Sequence, residues 1–467
     1  MSSTTEAAQG VWIGVDFGTT NSGAAVVEGG QVRSLPLDPA SRDPAVMPSA
    51  LYVTREHETY LGQEAIHTYY RQHVGRPSHM VQREVGEIEI TLSDVGSVKG
   101  YPVGPQEIVR TVHTMVDTLS PGRLLRSLKS ALATGYEGTR IFDRAYTLEA
   151  LIGAFLSGVR QRAEAAIGRP VKGAVLGRPV HFTDSAGEED DGRAEARLRA
   201  AAEMAGFEKV RFELEPVAAA LHYARGMAAP GNLLVFDLGG GTLDITVMRA
   251  GQGVQEVYAV GGLGIAGDAL DRRLMAGTVL DHFGRGSTYG PDSAPFPTRY
   301  TDALLHWQTL PELSRPAELR FLRQAQQTSS DPRALRALES LLVHNSAARL
   351  YDAVEEAKIA LSSVPFARIA VQEEGLDLWQ PVTRSQFEAL IAEDEKRIEA
   401  CVLDTLERSG LGAPEIDAVV RTGGSSQIPS LGVMLDRIFP GKVVQHEVFR
   451  GVAAGLAIRA ADLTWDT

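Results

Sequence analysis

The sequence has little of several features that define common protein classes. Cys401 is the only cysteine among 467 residues, which excludes a disulfide within the chain and a metal centre built from cysteines. No apolar run reaches the roughly 18 residues that a transmembrane helix needs. Residues 1–10 lack the basic start and apolar core of a secretion signal. The prediction is therefore a cytoplasmic protein with no membrane partner.

Basic residues are also in the minority. The chain has 46 Lys and Arg against 59 Asp and Glu, which gives a net charge of −13. This balance argues against nucleic acid or an anionic membrane as the main partner. It leaves a phosphate ligand open, because a few local backbone groups can hold one. A hydrophobic content of 44% is enough to bury a core and excludes a mainly disordered chain.

One short pattern occurs twice. Residues 12–20 and 233–242 each contain an apolar strand that ends in aspartate, then one apolar residue, a glycine-rich corner with threonine, and a second apolar strand. The two aspartates are Asp16 and Asp237. This internal repeat predicts an α/β fold of two duplicated lobes, with equivalent corners facing each other across a cleft.

The first corner carries groups suited to a phosphate. Glycine at position 18 lets the backbone adopt angles that other residues avoid, and successive N–H groups in such a turn form an anion-binding concavity. Thr19 and Thr20 add hydroxyl donors. Asp16 cannot hold phosphate directly, because both are negative, but it can hold a hydrated Mg²⁺ that bridges to phosphate. For Gly18, Thr19 and Thr20 taken alone, an ordinary hairpin turn is the alternative.

The second corner repeats this chemistry. Four residues are suited to wrapping the distal phosphates: Gly239, Gly240, Gly241 and Thr242. Asp237 would face the metal. Asp244 shares a strand face with Thr242 if this segment is a strand, so it could reach the cleft and polarise a water; the alternative is a surface acid.

A third glycine-rich turn lies near the end of the sequence. A strand leads into Gly423 and Gly424, followed by Ser425 as a helix-capping residue. Such a turn lets the backbone pass close to a ribose or an adenine. A plain strand-to-helix loop is the alternative.

These motifs occur in the order found in one family. The sequence resembles the nucleotide-binding domain of heat shock protein 70 (DnaK-like) chaperones at residues 15–22, 215–220, 236–244, 355–363 and 423–429. The resemblance extends over about residues 11–461 and implies the actin-like ATPase fold, with ATP or ADP and Mg²⁺ at the base of the cleft. We expect lobe I to span 1–228, completed by 446–467, and lobe II to span 229–445. A helical subdomain is expected at about 266–362.

The resemblance implies roles for the phosphate end of the site. Thr19 and Thr20 would contact phosphate, and Asp16 and Asp237 would hold the water shell of the metal, with Asp237 counted among the catalytic residues. Glu215 and Asp244 would orient or activate the attacking water.

Lys129 is the best match to the family's catalytic lysine and would stabilise charge on the γ-phosphate, although the sequence around it matches the family poorly. Gly267 matches a family glycine near the phosphates. Glu355, Lys358 and Ser362 fall on one helical face, which the resemblance makes the adenosine side.

The sequence also departs from the family. Ile359 and Gln427 stand where the family commonly places two arginines around adenine, so the cation–π contribution to base binding would be weaker. Phe449 replaces an acid before the final helix. Because the sequence ends soon after Phe449, we expect no peptide-binding domain and a likeness to the shortened, YegD-like branch.

The function expected from this resemblance is an ATP-binding, slowly hydrolysing chaperone-like protein. Its partners would be an adenine nucleotide and a protein client or co-chaperone. Two alternatives remain open: a small-molecule kinase on the same superfold, or a nucleotide sensor or filament former that does not hydrolyse its ligand.

Overall fold

The protein is described here by a computed structural model. The described residues are 10–73, 76, 80–92, 97–98, 101–102, 106–183, 185, 187–306, 310–445 and 450–463. Phe449 therefore lies outside them.

The first half of the chain is strand-rich. Its described strands are β1 (Val11–Phe17), β2 (Asn21–Glu28), β3 (Gln31–Ser34), β4 (Met47–Pro48), β5 (Ala50–Thr54), β6 (Thr59–Leu61), β7 (Met80–Leu92), β8 (Ser97–Val98), β9 (Tyr101–Pro102), β10 (Gln106–Asp117), β11 (Gly122–Arg126), β12 (Gly138–Ile141), β13 (Arg144–Thr147), β14 (Val171–Arg178) and β15 (Lys209–Leu214). Its described α-helices are α1 (Gly62–His73), α2 (Leu148–Ile167), α3 (Glu188–Met204) and α4 (Glu215–Ala224).

The central sheet of this half has the strand order β15-β14-β1-β2-β3, with β4 added beside β2. Strands β15, β14 and β1 are parallel, whereas β1, β2 and β3 are antiparallel neighbours. Side chains of β1 alternate between two cores. Ile13 and Val15 pack with α2 and α3, and Trp12 packs with α4 on the other face.

The second half contains the remaining described elements. Its strands are β16 (Gly231–Leu238), β17 (Leu243–Gly251), β18 (Val254–Leu263), β19 (Thr288–Tyr289), β20 (Ala294–Pro295), β21 (Phe366–Glu373), β22 (Leu376–Thr383), β23 (Ala418–Thr422) and β24 (Val443–Gln445). Its α-helices are α5 (Gly267–Thr278), α6 (Arg299–Asp302), α7 (Leu310–Leu313), α8 (Pro316–Gln326), α9 (Pro332–Val343), α10 (Ala347–Ser363), α11 (Arg384–Arg408), α12 (Pro429–Ile438) and α13 (Gly451–Ala461).

The second central sheet repeats the first. Its order is β18-β17-β16-β23-β24, with β16, β23 and β24 parallel and β16, β17 and β18 antiparallel neighbours. Asp16 and Asp237 are each the next-to-last residue of the equivalent strands β1 and β16. The predicted duplication of an α/β unit is therefore confirmed.

Helices α4 and α13 join the two sheets. Trp12 of β1, Val217 of α4, Leu233 of β16 and Leu456 of α13 belong to one continuous buried core. The approach of α13 to β1 is close, because a methyl group on Gly14 would lie 2.2 Å from the backbone N of Ala457. The residue boundaries of the two lobes remain predictions.

Helices α5 to α10 and the short strands β19 and β20 lie in the region predicted as a helical subdomain; its boundaries stay a prediction. Phe296, Tyr300 and Phe321 form a stack within it, with ring centroids 5.2 and 5.5 Å apart for neighbouring pairs. In the part of the chain that the structure covers, no helix combines the length and apolarity needed to cross a bilayer. Cys401 lies partly buried on α11.

Candidate nucleotide-binding site

The first glycine corner joins β1 to β2 and is held from the side by Ser49. The Ser49 hydroxyl donates a hydrogen bond to the carbonyl oxygen of Gly18 at 2.7 Å, and its backbone N–H donates to Thr20 O at 2.8 Å. Gly18 does not adopt a positive φ, so our expectation of unusual backbone angles there is wrong. Glycine is required for space instead, because a Cβ would lie 2.1 Å from the carbonyl oxygen of Asn21.

The second corner joins β16 to β17 and is bonded to the start of α5. The backbone N–H of Gly267 donates to Gly239 O at 3.1 Å, and that of Asp268 donates to Gly240 O at 2.8 Å. Gly267, predicted near the phosphates, thus lies directly beside this corner. The turn is closed by a bond from Gly239 N to Thr242 O at 3.1 Å.

The two corners meet across the cleft. A methyl group on Gly240 would lie 2.0 Å from the Thr20 hydroxyl, and one on Gly241 would lie 2.9 Å from the Thr19 hydroxyl. Residues without a side chain are therefore needed here for the corners to approach. The hydroxyls of Thr19 and Thr20 thus lie next to the backbone of the second corner, and hydroxyl and backbone N–H groups are the donors that an oxyanion takes.

The third glycine turn packs against the end of β16 and the start of α5. Gly423 has a φ of +78°, and a Cβ there would lie 2.4 Å from Leu238 O. Both facts restrict this position to glycine. Gly424 opens a short 3₁₀-helix, Gly424–Gln427, and Ser425 is buried. A methyl on Gly267 would lie 2.7 Å from the Ser425 hydroxyl, so the third turn reaches the second corner.

A buried ion pair lies below the corners. Lys129 is on a 3₁₀-helix, Leu128–Ala131, and its Nζ contacts Glu215 Oε1 at the first residue of α4. The exposed fractions of the two residues are 6% and 8%. Burial opposes the charge on Lys129, but the carboxylates of Glu215 and Asp16 outweigh it and raise the pKa of the lysine.

Three aspartates share this pocket. Burial, with the repulsion of Glu215 added, raises the pKa of Asp16 to about 7, well above its usual 3.8. The same causes raise the pKa of Asp244 to about 7 and lift that of Asp237 well above its usual range. Asp237 and Asp244 stand directly opposite each other in the β16–β17 pair. Four acids therefore surround one lysine, and burial together with mutual repulsion opposes the ionisation of all four at once.

This excess of carboxylate fits a bound cation. Oxygen ligands and high negative charge are what Mg²⁺ selects. Among the described residues, no group of three or more His, Cys, Asp or Glu side chains is close enough to form a ready-made metal cage. The chemistry of the donor set suits Mg²⁺, and its positive charge would relieve the repulsion that raises these pKa values.

Asp244 is oriented by two hydrogen bonds. Its Oδ1 accepts from the backbone N–H of Val180 at 2.7 Å, and its Oδ2 accepts from the Thr242 hydroxyl at 2.8 Å. The Val180 bond comes from the loop that follows β14, on the opposite side of the cleft. This partner was not predicted from the sequence.

The predicted adenosine face on α10 has one buried member. Lys358 Nζ donates to Asp271 Oδ2 at 2.6 Å and to Gly267 O at 3.3 Å. Glu355 and Ser362 are partly buried on the same helix. Ile359 is 60% exposed. Burial raises the pKa of Asp271 to about 6, although Lys358 lowers it.

Side chains from both halves also meet away from the glycine corners. Tyr70 of α1 donates its hydroxyl proton to Asp352 of α10, and Arg126 Nη1 donates to the same carboxylate at 3.1 Å. Asn345 donates to the backbone oxygen of Arg76 at 3.1 Å. The two bonds to Asp352 link α1 and β11 to α10, and the Asn345 bond joins the segments that follow α1 and precede α10.

Two equivalent sheets with the same strand order, joined by facing glycine–threonine corners, form the actin-like ATPase fold. The Hsp70 family model matches residues 130–289 and 340–466. The chaperone protein DnaK of Thermotoga petrophila and that of Thermotoga maritima are each 30% identical over 357 residues, 74% of this chain and 50% of theirs. DnaK of Thermotoga neapolitana matches equally. The chain belongs to the Hsp70 family, and it spans about half the length of the curated relatives it matches.

Proposed function

We propose that this chain binds ATP with Mg²⁺ and hydrolyses it slowly. Members of the Hsp70 family are ATPases. The observation that carries the proposal is the Lys129–Glu215 pair, buried among three aspartates beneath two glycine corners that meet. Clusters of charged groups with shifted pKa values are common at functional sites, and phosphoryl transfer depends on such positioned charges around the phosphates and the metal ion.

The phosphates would lie between the corners. Backbone N–H groups of both turns, with the hydroxyls of Thr19 and Thr20, are the donors available to phosphate oxygens. Asp16 and Asp237 would hold Mg²⁺ through its water shell, and the ion supplies charge that offsets the phosphates. Lys129 would add positive charge beside the terminal phosphate, which favours the transition state more than the ground state.

Asp244 would orient the water molecule that attacks the terminal phosphate. Asp244 is fixed by Val180 and Thr242, so its carboxylate has one orientation in which to accept a proton from water. With its pKa raised to about 7, Asp244 is near the value that suits a general base at neutral pH. Glu215 would hold Lys129 in place and share this task.

A chaperone-like role would depend on movement of the two halves of the protein. Closure around the nucleotide would bring the two sheets together, and a protein partner would respond to the change in surface. The contact of Asp352 with Tyr70 and Arg126 couples α10 to the first half, so it would form and break with such a movement.

Single-turnover hydrolysis of γ-labelled ATP tests this function. We expect Mg²⁺-dependent phosphate release by the wild-type protein and a loss of roughly 10²–10³-fold in Lys129→Met, the size seen when one preorganised electrostatic group is removed. The exposed Lys396, paired with Glu393 on α11, gives the matched control Lys396→Met, which should behave as wild type. Titration calorimetry on the same samples separates binding from turnover.

Three outcomes are decisive. Wild-type rates in Lys129→Met would refute the assigned site. Tight, Mg²⁺-dependent ATP binding without turnover would replace the ATPase with a nucleotide sensor. Turnover that appears only with a metabolite acceptor would favour a small-molecule kinase.

A further inference from the structure

A third threonine from the first half faces the second glycine corner. A methyl group on Gly241 would lie 3.2 Å from the Thr183 hydroxyl, almost as close as it would lie to Thr19. Thr183 belongs to the loop after β14, far in sequence from both corners. Within the described ranges, no hydrogen bond joins the hydroxyls of Thr19, Thr20 or Thr183 to another protein group.

The loop that carries Thr183 is fixed at two points. On one side, Val180 donates its N–H to Asp244 at 2.7 Å. On the other, Asp191 in the first turn of α3 accepts from Phe182 N at 2.9 Å and bonds to His181 Nδ1 at 2.8 Å. Asp191 is 9% exposed, so this anchor is built into the fold. The Thr183 hydroxyl is consequently held toward the cleft.

Gly240 and Gly241 of the corner face different neighbours. A methyl group on Gly240 would lie 3.6 Å from Asp268 Oδ1 at the start of α5, and the same helix carries Asp271, the partner of Lys358 on the predicted adenosine face of α10. Gly241 faces Thr183, whose loop also bonds Asp244. Along the corner, Thr183 is therefore at the end near the carboxylate proposed to orient water, which is the terminal-phosphate end.

We propose that Thr183 binds the terminal phosphate of ATP through its hydroxyl. The inference deepens the proposed function and rests on it. A hydroxyl can donate to a phosphate oxygen and rotate to suit it, and hydrogen bonds to charged groups are stronger than neutral ones. Thr183 thereby distinguishes a nucleoside triphosphate from a diphosphate, because the diphosphate has no oxygen at this end.

Titration calorimetry with MgATP and MgADP tests the assignment in Thr183→Val and Thr183→Ser. We expect Thr183→Val to weaken ATP binding by about tenfold, the size of one lost hydrogen bond to a charged group, with ADP binding unchanged. Thr183→Ser keeps the hydroxyl and should retain wild-type affinity for both. Thr278→Val is the matched control, because the Thr278 hydroxyl bonds to Leu274 O within α5 and should affect neither affinity.

The possible failures are distinguishable. An equal loss of ATP and ADP affinity in Thr183→Val, or no loss at all, overturns the inference while leaving the proposed function standing. A loss in Thr183→Ser as large as in Thr183→Val also overturns it, because the hydroxyl would not be the group involved. A wild-type protein that binds neither nucleotide overturns both.

Discussion

Replacing Asp244 with asparagine should make the nucleotide-free protein more stable while it impairs hydrolysis. Asp244 is 2% exposed, and burial with repulsion from Glu215 raises its pKa from 3.8 to about 7. Since one pKa unit corresponds to about 1.4 kcal/mol, ionising this group in the folded protein costs about 4 kcal/mol at pH 8. Asparagine removes the cost and keeps an oxygen for the N–H of Val180.

The pH dependence follows from the direction of this shift. A folded-state pKa above the unfolded value means that the contribution of Asp244 to wild-type stability is fully present at low pH and is lost as pH rises through the window from about 4 to 7. The advantage of Asp244→Asn should therefore grow by about 1.4 kcal/mol per pH unit across that window and level off above pH 7.

Urea unfolding of both proteins without nucleotide or Mg²⁺, from pH 4.5 to 8.5, measures this difference. Asp43→Asn is a control of opposite sign. The hydrogen bond from Arg450 lowers the pKa of Asp43, so removing the Asp43 charge should slightly lower the stability of the protein at pH values above 4. A difference between Asp244→Asn and wild type that does not change with pH, or an Asp244→Asn protein less stable at pH 8, would refute the reasoning.

Three further substitutions test the cleft. Asp352→Ala removes the shared partner of Tyr70 and Arg126, so nucleotide release in stopped-flow measurements should accelerate by about tenfold; an unchanged rate would contradict a role in closure. Gly240→Ala places a methyl 2.0 Å from the Thr20 hydroxyl, which should lower ATP affinity by at least about tenfold with little change in circular dichroism. Gly423→Ala combines a φ of +78° with a clash against Leu238 O, so it should cost more than about 2 kcal/mol in urea unfolding; a stable variant would mean that the turn can rearrange.

The paired corners could be predicted because their signals are local. An apolar strand, an aspartate and a run of glycines are adjacent in the sequence, and their repetition at Asp16 and Asp237 indicated two equivalent sheets. The strand orders of the two sheets confirm that interpretation. The roles given to the individual residues remain predictions, although Lys129 and Glu215 do lie in contact.

Long-range contacts could not be predicted in this way. Thr183 lies near Gly241 and Val180 bonds to Asp244 because β14 ends at the same edge of the sheet as β1. The sequence around these two residues contains no motif that would predict either contact. The rule that ligands bind beyond the carboxyl ends of parallel strands would have pointed to this loop. At Gly18 the motif predicted the turn, but not why glycine is needed there. A side chain would clash with Asn21 O, whereas φ is not positive.

The position of α13 has a consequence for how the protein is made. A methyl group on Gly455 would lie 1.7 Å from Ala218 O, so this helix is wedged between α4 and β1 and completes a core begun at Trp12. On the ribosome, the faces of α4, β1 and β2 against which α13 packs would stay uncovered until residues 451–461 emerge. Nascent chains at that stage would expose more apolar surface, and would be more prone to aggregation, than the folded protein.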